Sequence, residues 1–182
     1  MADKELILKE KVEHTGLFDF VGFYQFANAW FREEDYGVSE ERYTEKVKGN
    51  AKDMRIEWSA TKELSDYFKI QQSVNFNIKD MSEVEVEING TKKTMNKGNI
   101  EIEIKGFLIK DYESKWETSP GYRFLRDVYN KYVIPARVRS MKDRVRDEVQ
   151  EFKDEMKAFL DVPGLRAKPE KFARRDLKES KG

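Results

Sequence analysis

The sequence predicts an α+β fold: a curved antiparallel sheet of six or seven strands, an N-terminal helix and a long C-terminal helix. Three observations favour this fold. Segments in which polar and apolar residues alternate fill most of residues 38–112. Asn89-Gly90 joins two of these segments and is typical of a tight hairpin. An apolar stripe at steps of three and four residues then runs through residues 125–159, which is typical of an amphipathic helix.

The N-terminal region predicts one strand and one helix rich in aromatic residues. Residues 4–13 alternate, with leucine and valine on one side, as in a half-buried strand. Thr15 is predicted to cap a helix that runs from about residue 16 to residue 34. The apolar residues on one face of this helix are Phe20, Phe23, Tyr24, Ala27, Trp30 and Phe31. This face is predicted to belong to the core, or to leave part of its width for a partner.

Three strands are predicted in the middle of the chain. Residues 38–48 form the first, with Tyr43 and Val47 pointing inward. Residues 54–61 alternate with a period of two, and residues 68–79 do so most regularly. The inward residues of the last strand are Phe68, Ile70, Gln72, Val74, Phe76 and Ile78. Strands that are apolar on one side only are typical of an antiparallel sheet with one face in water.

The remaining strands surround the Asn89-Gly90 hairpin. A break or bulge is expected at residues 80–82, followed by a strand over residues 84–88. The return strand, about residues 91–95, is polar and is predicted to lie at a rim. Lys97-Gly98 is predicted to turn the chain into a last strand from Ile100 to about Tyr112. Gly106 would permit a bend in that strand.

One long amphipathic helix is predicted from Ser119 to Leu160. Ser119 can cap its start, Pro120 suits the first helical position, and Pro163-Gly164 ends it. Pro135 removes one backbone hydrogen bond, so a kink or break is expected there. The apolar stripe consists of Leu125, Val128, Tyr132, Val138, Met141, Val145, Val149, Phe152, Met156 and Phe159. We expect this stripe to lie against the concave side of the sheet.

The chain is predicted to form one α+β domain over residues 1–162, followed by a charged, mobile tail over residues 163–182. The charges are divided unevenly between the two parts of the chain. Residues 1–119 carry 18 basic and 24 acidic side chains, whereas residues 120–182 carry 17 and 11. This asymmetry predicts a basic surface in the C-terminal part that could meet an anionic partner.

The sequence contains no complete catalytic or cofactor signature. It has no cysteine, and His14 is the only histidine, so neither thiolate catalysis nor a recognisable histidine pairing is available. Glycine-rich phosphate loops are absent from the sequence. The acidic rows at residues 83–87 and 101–103 could relieve their repulsion by binding a hard cation, but nearby lysines favour a solvated, ion-paired face. We therefore predict a non-enzymatic protein with no cofactor and no metal.

Gln72 suggests a candidate ligand site, because an amide interrupts an otherwise apolar strand face. It could line a cavity together with Trp58 on the adjacent strand and with Tyr129 and Tyr132 on the long helix. Alternatively, Gln72 binds a neighbouring tyrosine or a backbone group. The sequence does not decide between these two interpretations.

A second candidate is a basic surface that follows Pro135. It consists of Arg137, Arg139, Arg144 and Arg146, diluted by nearby acidic residues. Such a surface could contact phosphates or anionic lipid head groups. The alternative is a solvated helix face with no ligand.

The element order resembles the helix-grip arrangement of START-like (Bet v 1-like) proteins, in which a curved sheet wraps a long final helix. The resemblance covers residues 4–160 and concerns the order strand, helix, antiparallel strands, long helix. It implies an apolar small molecule or lipid between sheet and helix. The sequence departs from that family in having one helix where two short ones are usual, and in its bulky aromatic inward positions. The phrases at residues 95–98, 111–113 and 116–117 are also similar to uncharacterised archaeal proteins.

These observations predict a binding protein that holds an apolar ligand between the sheet and the C-terminal helix. The alternative is a protein-interaction or assembly module that uses the aromatic first helix and the basic C-terminal region. The expected partners are an apolar ligand, a protein or a second copy, and, less favoured, anionic lipid or nucleic acid. No apolar signal region and no run of roughly 20 apolar residues occurs, so the expected location is the cytoplasm.

Overall fold

The computed structural model describes residues 2–112 and 120–162, except for the side chains of Asn130 and Val133, and these residues form an α+β fold. Its strands are β1 (Asp3–Phe18), β2 (Gly37–Lys48), β3 (Ala51–Glu63), β4 (Phe68–Ile88) and β5 (Thr91–Lys110). Its helices are α1 (Phe20–Glu33), α2 (Pro120–Val128) and α3 (Pro135–Asp161), with one π-helical turn (Tyr129–Val133) before α3. The predicted fold class, with an N-terminal and a C-terminal helix, is confirmed.

The five strands form one antiparallel sheet in the order β1-β5-β4-β3-β2. Strands β2 to β5 follow one another as a meander. The last strand, β5, also pairs with the first strand, β1, over the whole length of β1. The predicted Asn89-Gly90 hairpin is confirmed, since both residues have positive φ angles of 51° and 75°. The two edges of the sheet are therefore β1 and β2.

The predicted count of six or seven strands is wrong for the described residues, which contain five. The predicted bulge at residues 80–82 is present, with Asp80 at φ 53° and a shift in register between Lys79 and Ser82. It bends β4 without ending it, so two predicted strands are one. The predicted turn at Lys97-Gly98 does not occur, because both residues remain paired within β5. Close approach to the bulge explains this glycine: a Cβ atom on Gly98 would lie 2.9 Å from the Lys79 carbonyl oxygen.

The boundary between β1 and α1 also differs from the prediction. Thr15 pairs with Asn99 in the sheet, so it cannot cap the helix. Asp19 caps α1 instead, and its Oδ1 accepts a hydrogen bond of 3.0 Å from the Gly22 amide. The amide of Phe20 donates to Asn96 Oδ1 at 3.1 Å, which ties the start of α1 to β5.

One face of the sheet, called here the inner face, forms the core with α1 and α3. Alternate residues of β3, β4 and β5 point into it, as their period of two predicts. The ring of Phe23 on α1 meets Phe76 with centroids 5.8 Å apart, and the ring of Phe31 meets Phe152 on α3 at 4.5 Å. The buried residues of α1 are Phe23, Phe26, Ala27, Trp30 and Phe31. The interpretation of its aromatic face as core is therefore confirmed.

The prediction that Tyr43 and Val47 point inward is wrong, because neither side chain is buried. Tyr43 pairs with Ile56 of β3, yet its side chain is 49% exposed, and that of Val47 is 69% exposed. Strand β2 lies at the edge of the sheet, and its residues from Ser39 to Lys48 are all exposed. Apolar spacing in this strand therefore does not mark a buried face.

The predicted long helix is divided. The break expected at Pro135 is confirmed: α2 ends at Val128, the π-helical turn follows, and Pro135 is the first residue of α3. The Ile134 amide donates to the Tyr129 carbonyl at 3.0 Å, which closes the π-helical turn. Ser119, Pro163-Gly164 and the tail over residues 163–182, on which other predictions rest, lie outside the described residues.

Only the later part of the apolar stripe is buried. From Val145 onward α3 packs on β1 and β5, and Val145 and Val149 lie over Gly106. At the other end, Leu125, Val128 and Tyr132 are exposed, so the prediction that the whole stripe lies against the sheet is wrong. The sheet covers α3 and does not cover α2.

Candidate functional site

The four residues predicted to line a ligand site do not come together as one group. Trp58 and Gln72 are both fully buried on adjacent strands of the inner face. The Trp58 ring packs edge-on against Phe76, with centroids 4.9 Å apart. Tyr129 is partly buried against the core, whereas Tyr132 in the π-helical turn is 70% exposed. Of the four predicted residues, the structure therefore brings together only Trp58 and Gln72.

Gln72 belongs to a buried polar group that we call the Glu148 cluster: Tyr36, Lys62, Gln72, Arg144 and Glu148. Gln72 Nε2 donates to the Tyr36 hydroxyl at 3.0 Å, and that hydroxyl donates to Glu148 Oε2. Lys62 Nζ lies 3.1 Å from Glu148 Oε1, and Arg144 Nε lies 2.9 Å from the same oxygen. The alternative interpretation of Gln72, a hydrogen bond to a neighbouring tyrosine, is confirmed.

Burial and charge keep the Tyr36 hydroxyl of this cluster protonated near neutral pH. Burial, and then the charge of Glu148, raise the pKa of the Tyr36 hydroxyl, so it remains a neutral donor. Three donors already satisfy the Glu148 carboxylate, which leaves it poorly placed to act as a base. Gln72 Oε1 is buried and has no hydrogen-bond partner among the described residues. The cluster fits a role in fastening α3 to the sheet better than a role in chemistry.

Sequence reasoning missed Tyr36, Lys62 and Glu148, although two of them carried a signal. Lys62 continues the inward alternation of β3 directly after Ala60. Glu148 lies on the buried face of α3 between Val145 and Val149. Opposite charges at two inward positions of different elements indicate a buried ion pair. Tyr36 lies between α1 and β2 and carried no such signal.

The space between the sheet and the helices is filled by large side chains. Trp30, Trp58, Phe23, Phe31, Phe76 and Phe152 are among the largest fully buried ones. In the described part of the chain, two open pockets stand out, and neither lies between the sheet and α3. One lies along residues 136–147 of α3, and the other involves β1, β4 and β5 near His14 and Asn77. The predicted apolar ligand therefore stays a prediction.

In the acidic row at residues 101–103, both glutamates have lysine partners within the sheet, and His14 also has a partner there. Glu103 lies 2.7 Å from Lys105 and 2.8 Å from Lys9, and these two lysines lower its pKa. His14 Nε2 lies 3.0 Å from the Leu17 carbonyl oxygen. Within residues 2–112 and 120–162, no three His, Asp or Glu side chains are grouped so that they could hold a metal ion.

The predicted basic surface is only partly available. Arg144 is engaged with Glu148, and Arg146 lies 2.7 Å from Asp143. Arg137 and Arg139 are exposed on the first turns of α3, and neither forms an ion pair with a described residue. The free cationic charge of the predicted set therefore lies at the start of α3, next to the π-helical turn.

The structure adds a surface that the sequence alone did not single out. None of the nine residues of α2 is buried. Four of them are large and apolar and form what we call the α2 face: Tyr122, Phe124, Leu125 and Val128, with 53%, 69%, 52% and 37% exposure. On the other side of the helix, Arg126 lies 3.9 Å from Asp111 at the end of β5. The signal for this surface was Pro135, which separates α2 from the buried part of the stripe.

No protein-family model matches the sequence, and a search of curated proteins finds no match. Function must therefore be argued from the residues themselves. The described helices include none that is both long and apolar enough to cross a bilayer.

Proposed function

We propose that this protein is a non-enzymatic interaction module that docks through the α2 face. One observation carries the proposal: a helix with four large apolar side chains has no buried residue. A helix of nine residues is marginal in water, because most helical stability comes from packing an apolar face against something else. No residue of the described part of the chain covers this apolar face, which favours a covering surface on another molecule.

The segment that follows α2 is held in the core. Ile134, directly before α3, is 1% exposed and lies in the core. Val138 and Met141 are partly buried and pack against the same core. The π-helical turn lies between this anchor and α2. The α2 face thus lies next to the packed core and does not depend on the aromatic face of α1, most of which is buried. This replaces the predicted use of the first helix as an interaction surface.

A second candidate function is the binding of an apolar small molecule or lipid between the sheet and α3. Two observations favour it: the helix-grip-like pairing of β1 with β5 under a C-terminal helix, and the buried, unpartnered Gln72 Oε1. The filled core weighs against it, because the aromatic side chains occupy the space that a ligand would need. Native mass spectrometry of the purified protein tests it, since a bound molecule would add a constant mass.

A photo-crosslinking amino acid at position 124 tests the interaction module. In an extract of the source cells that retains its membranes, illumination should attach another molecule, a protein or a lipid, to the chain through this side chain, which is 69% exposed. The matched control carries the same amino acid at position 154, where Asp154 is exposed on α3. Equal capture at both positions, or crosslinks within the chain alone at position 124, would contradict the proposal.

A further inference from the structure

We infer that the partner of the α2 face is the surface of an anionic lipid bilayer, with α2 lying in the plane of the interface. This inference rests on the proposed docking role of α2 and adds the chemistry of its partner. It depends on two properties of residues 120–140: where their apolar side chains lie and what charge accompanies them.

The apolar side chains occupy one side of α2. Phe124 and Val128 are four residues apart, and Leu125 lies three residues from both Tyr122 and Val128. Residues three and four apart are neighbours on a helix, so these four form one continuous patch. Arg123, Arg126 and Asp127 occupy the remaining side of the helix. Tyr132, 70% exposed in the π-helical turn, adds another aromatic side chain next to α2.

The charge of this region is strongly positive. Residues 120–140 contain five basic side chains and one acidic side chain, Asp127. The basic residues are Arg123, Arg126, Lys131, Arg137 and Arg139. By contrast, residues 1–112 contain 17 basic and 22 acidic side chains, a net charge of −5. The cationic charge is therefore concentrated where the apolar face is exposed, and the sheet would be repelled from an anionic surface.

This combination fits a lipid interface better than the two other classes of partner. Duplex nucleic acid would neutralise the arginines but would leave the phenylalanine and leucine side chains in water. An apolar protein groove would cover those side chains but would not require the cationic surroundings. An anionic bilayer satisfies both, because the apolar face enters the acyl boundary while arginine and lysine meet the head groups. Tyrosine is also favoured at that depth.

Vesicle co-sedimentation of the full chain tests the inference. The protein should sediment with vesicles of phosphatidylcholine and phosphatidylserine at low salt, and binding to pure phosphatidylcholine should be at least about tenfold weaker. The double substitution Phe124→Ser and Leu125→Ser should weaken binding by at least about tenfold, because two apolar side chains no longer enter the interface. Its control is Val21→Ser, which alters another exposed apolar residue, on α1, and should leave binding unchanged.

The electrostatic contribution has its own pair of variants. Arg137→Gln with Arg139→Gln should weaken binding to the acidic vesicles by about tenfold or more and should reduce its dependence on salt. Lys157→Gln, which removes an exposed charge at the other end of α3, is the control. None of the substituted side chains is buried, so circular dichroism should show the same fold for all variants.

Three results would overturn the inference. The first is binding to acidic vesicles that the Phe124→Ser and Leu125→Ser variant retains in full. The second is binding to duplex DNA at low salt in the absence of any vesicle binding. The third is the absence of vesicle binding at low salt. In that case, capture of a protein at position 124 would support the docking role and exclude the lipid partner. No capture at position 124 would contradict both proposals.

Discussion

A carboxylate that faces the core must be paired, and Glu148 shows how this chain achieves it. The residue lies on the buried side of α3, where Lys62 reaches it from β3 and Tyr36 reaches it from the segment before β2. Removing one partner from such a group leaves the other charge buried and unpaired, which costs far more than the pair contributes. The Glu148 cluster therefore constrains which helix residue can meet which strand.

The substitution Glu148→Ala should lower the free energy of unfolding by about 3–5 kcal/mol, because it leaves Lys62 buried without a counter-charge. Urea denaturation at neutral pH measures this change. Asp154→Ala provides the control, since Asp154 is exposed on the same helix and should shift stability by less than about 0.5 kcal/mol. A loss as small as that of the control would show that Lys62 finds solvent easily.

The apolar replacement Glu148→Leu with Lys62→Met should recover most of that loss. Both charges are then removed together, and Arg144 can turn to solvent because its side chain is 47% exposed. Buried ion pairs are commonly replaced by apolar residues of similar volume at little cost. If the double variant is as unstable as Glu148→Ala, the hydrogen bonds of Tyr36 and Gln72 contribute more than the ion pair does.

Tyr36 should not ionise in the folded protein at pH values where an ordinary tyrosine does. Its raised pKa means that holding the hydroxyl neutral stabilises the fold below pH about 10 and that this contribution is lost as pH rises through the folded-state value. Phenolate absorbance should therefore be the same for wild type and Tyr36→Phe up to about pH 11 while both remain folded. In urea, the phenolate absorbance of the variant should be lower than that of wild type by the amount of one tyrosine. A difference of that size between the two folded proteins would contradict the prediction.

At this scale, the sequence predicted which positions face inward but not how polar inward groups are paired. Gln72 was recognised because an amide interrupts an apolar alternation. Its partner Tyr36 could not be identified, because the hydrogen bond joins residues 36 apart in sequence and depends on how α1 and β2 are placed. Such pairings are set by tertiary packing, which a local pattern does not contain.

At the scale of elements, the contact of α3 with β5 depends on Gly106. A Cβ atom at this position would lie 2.5 Å from Val149 Cγ2 and 2.8 Å from Val145 Cγ1. Both valines are fully buried, so neither can move aside easily. The sequence suggested that this glycine permits a bend, and the structure shows that it permits the helix to approach the sheet.

Gly106→Ala should therefore lower the free energy of unfolding by about 1–3 kcal/mol, as expected when a packed core is overfilled. Thermal or urea unfolding measures this. The matched control is Gly37→Ala in β2, where the nearest atom to a new Cβ, the Thr61 carbonyl oxygen, would be 3.9 Å away. That variant should be neutral or stabilised by about 0.4–1 kcal/mol. Equal effects of the two substitutions would show that α3 is not closely packed at Gly106.

The existence of each element was easier to predict than its ends. Alternation in β3 and the Asn89-Gly90 hairpin follow from local chemistry and appear where expected. The strands β4 and β5 were each divided into two, because a bulge at Asp80 and a glycine at position 98 resemble turns. Only the neighbouring strand shows whether the ladder continues past such a residue.

At the scale of the molecule, the C-terminal helical region begins before the sheet does. Lys142 lies 2.6 Å from Glu5 and Lys153 lies 3.2 Å from Glu10, so α3 runs along β1 in the same direction. Glu5 is the third residue of β1, and the 22 residues of the helical region that precede Lys142 would extend about 33 Å at about 1.5 Å per residue. Part of the apolar stripe therefore lies beyond the end of the sheet. The sequence shows the stripe but not its covering surface, so the predicted site residue Tyr132 was assigned to the wrong side of that limit, whereas Tyr129 packs partly against the core.

This division predicts two levels of local stability within the C-terminal region. Amide hydrogens in α2 should exchange with solvent nearly as fast as those of an unstructured chain, because nine residues without buried side chains gain little from packing. Amides from Val145 to Leu160, whose apolar side chains are buried, should exchange only on global unfolding. Hydrogen exchange with mass spectrometry of peptides from the two segments measures both. Strong protection of α2 in the isolated protein would show that its apolar face is already covered, and the docking role would then lose the observation on which it depends.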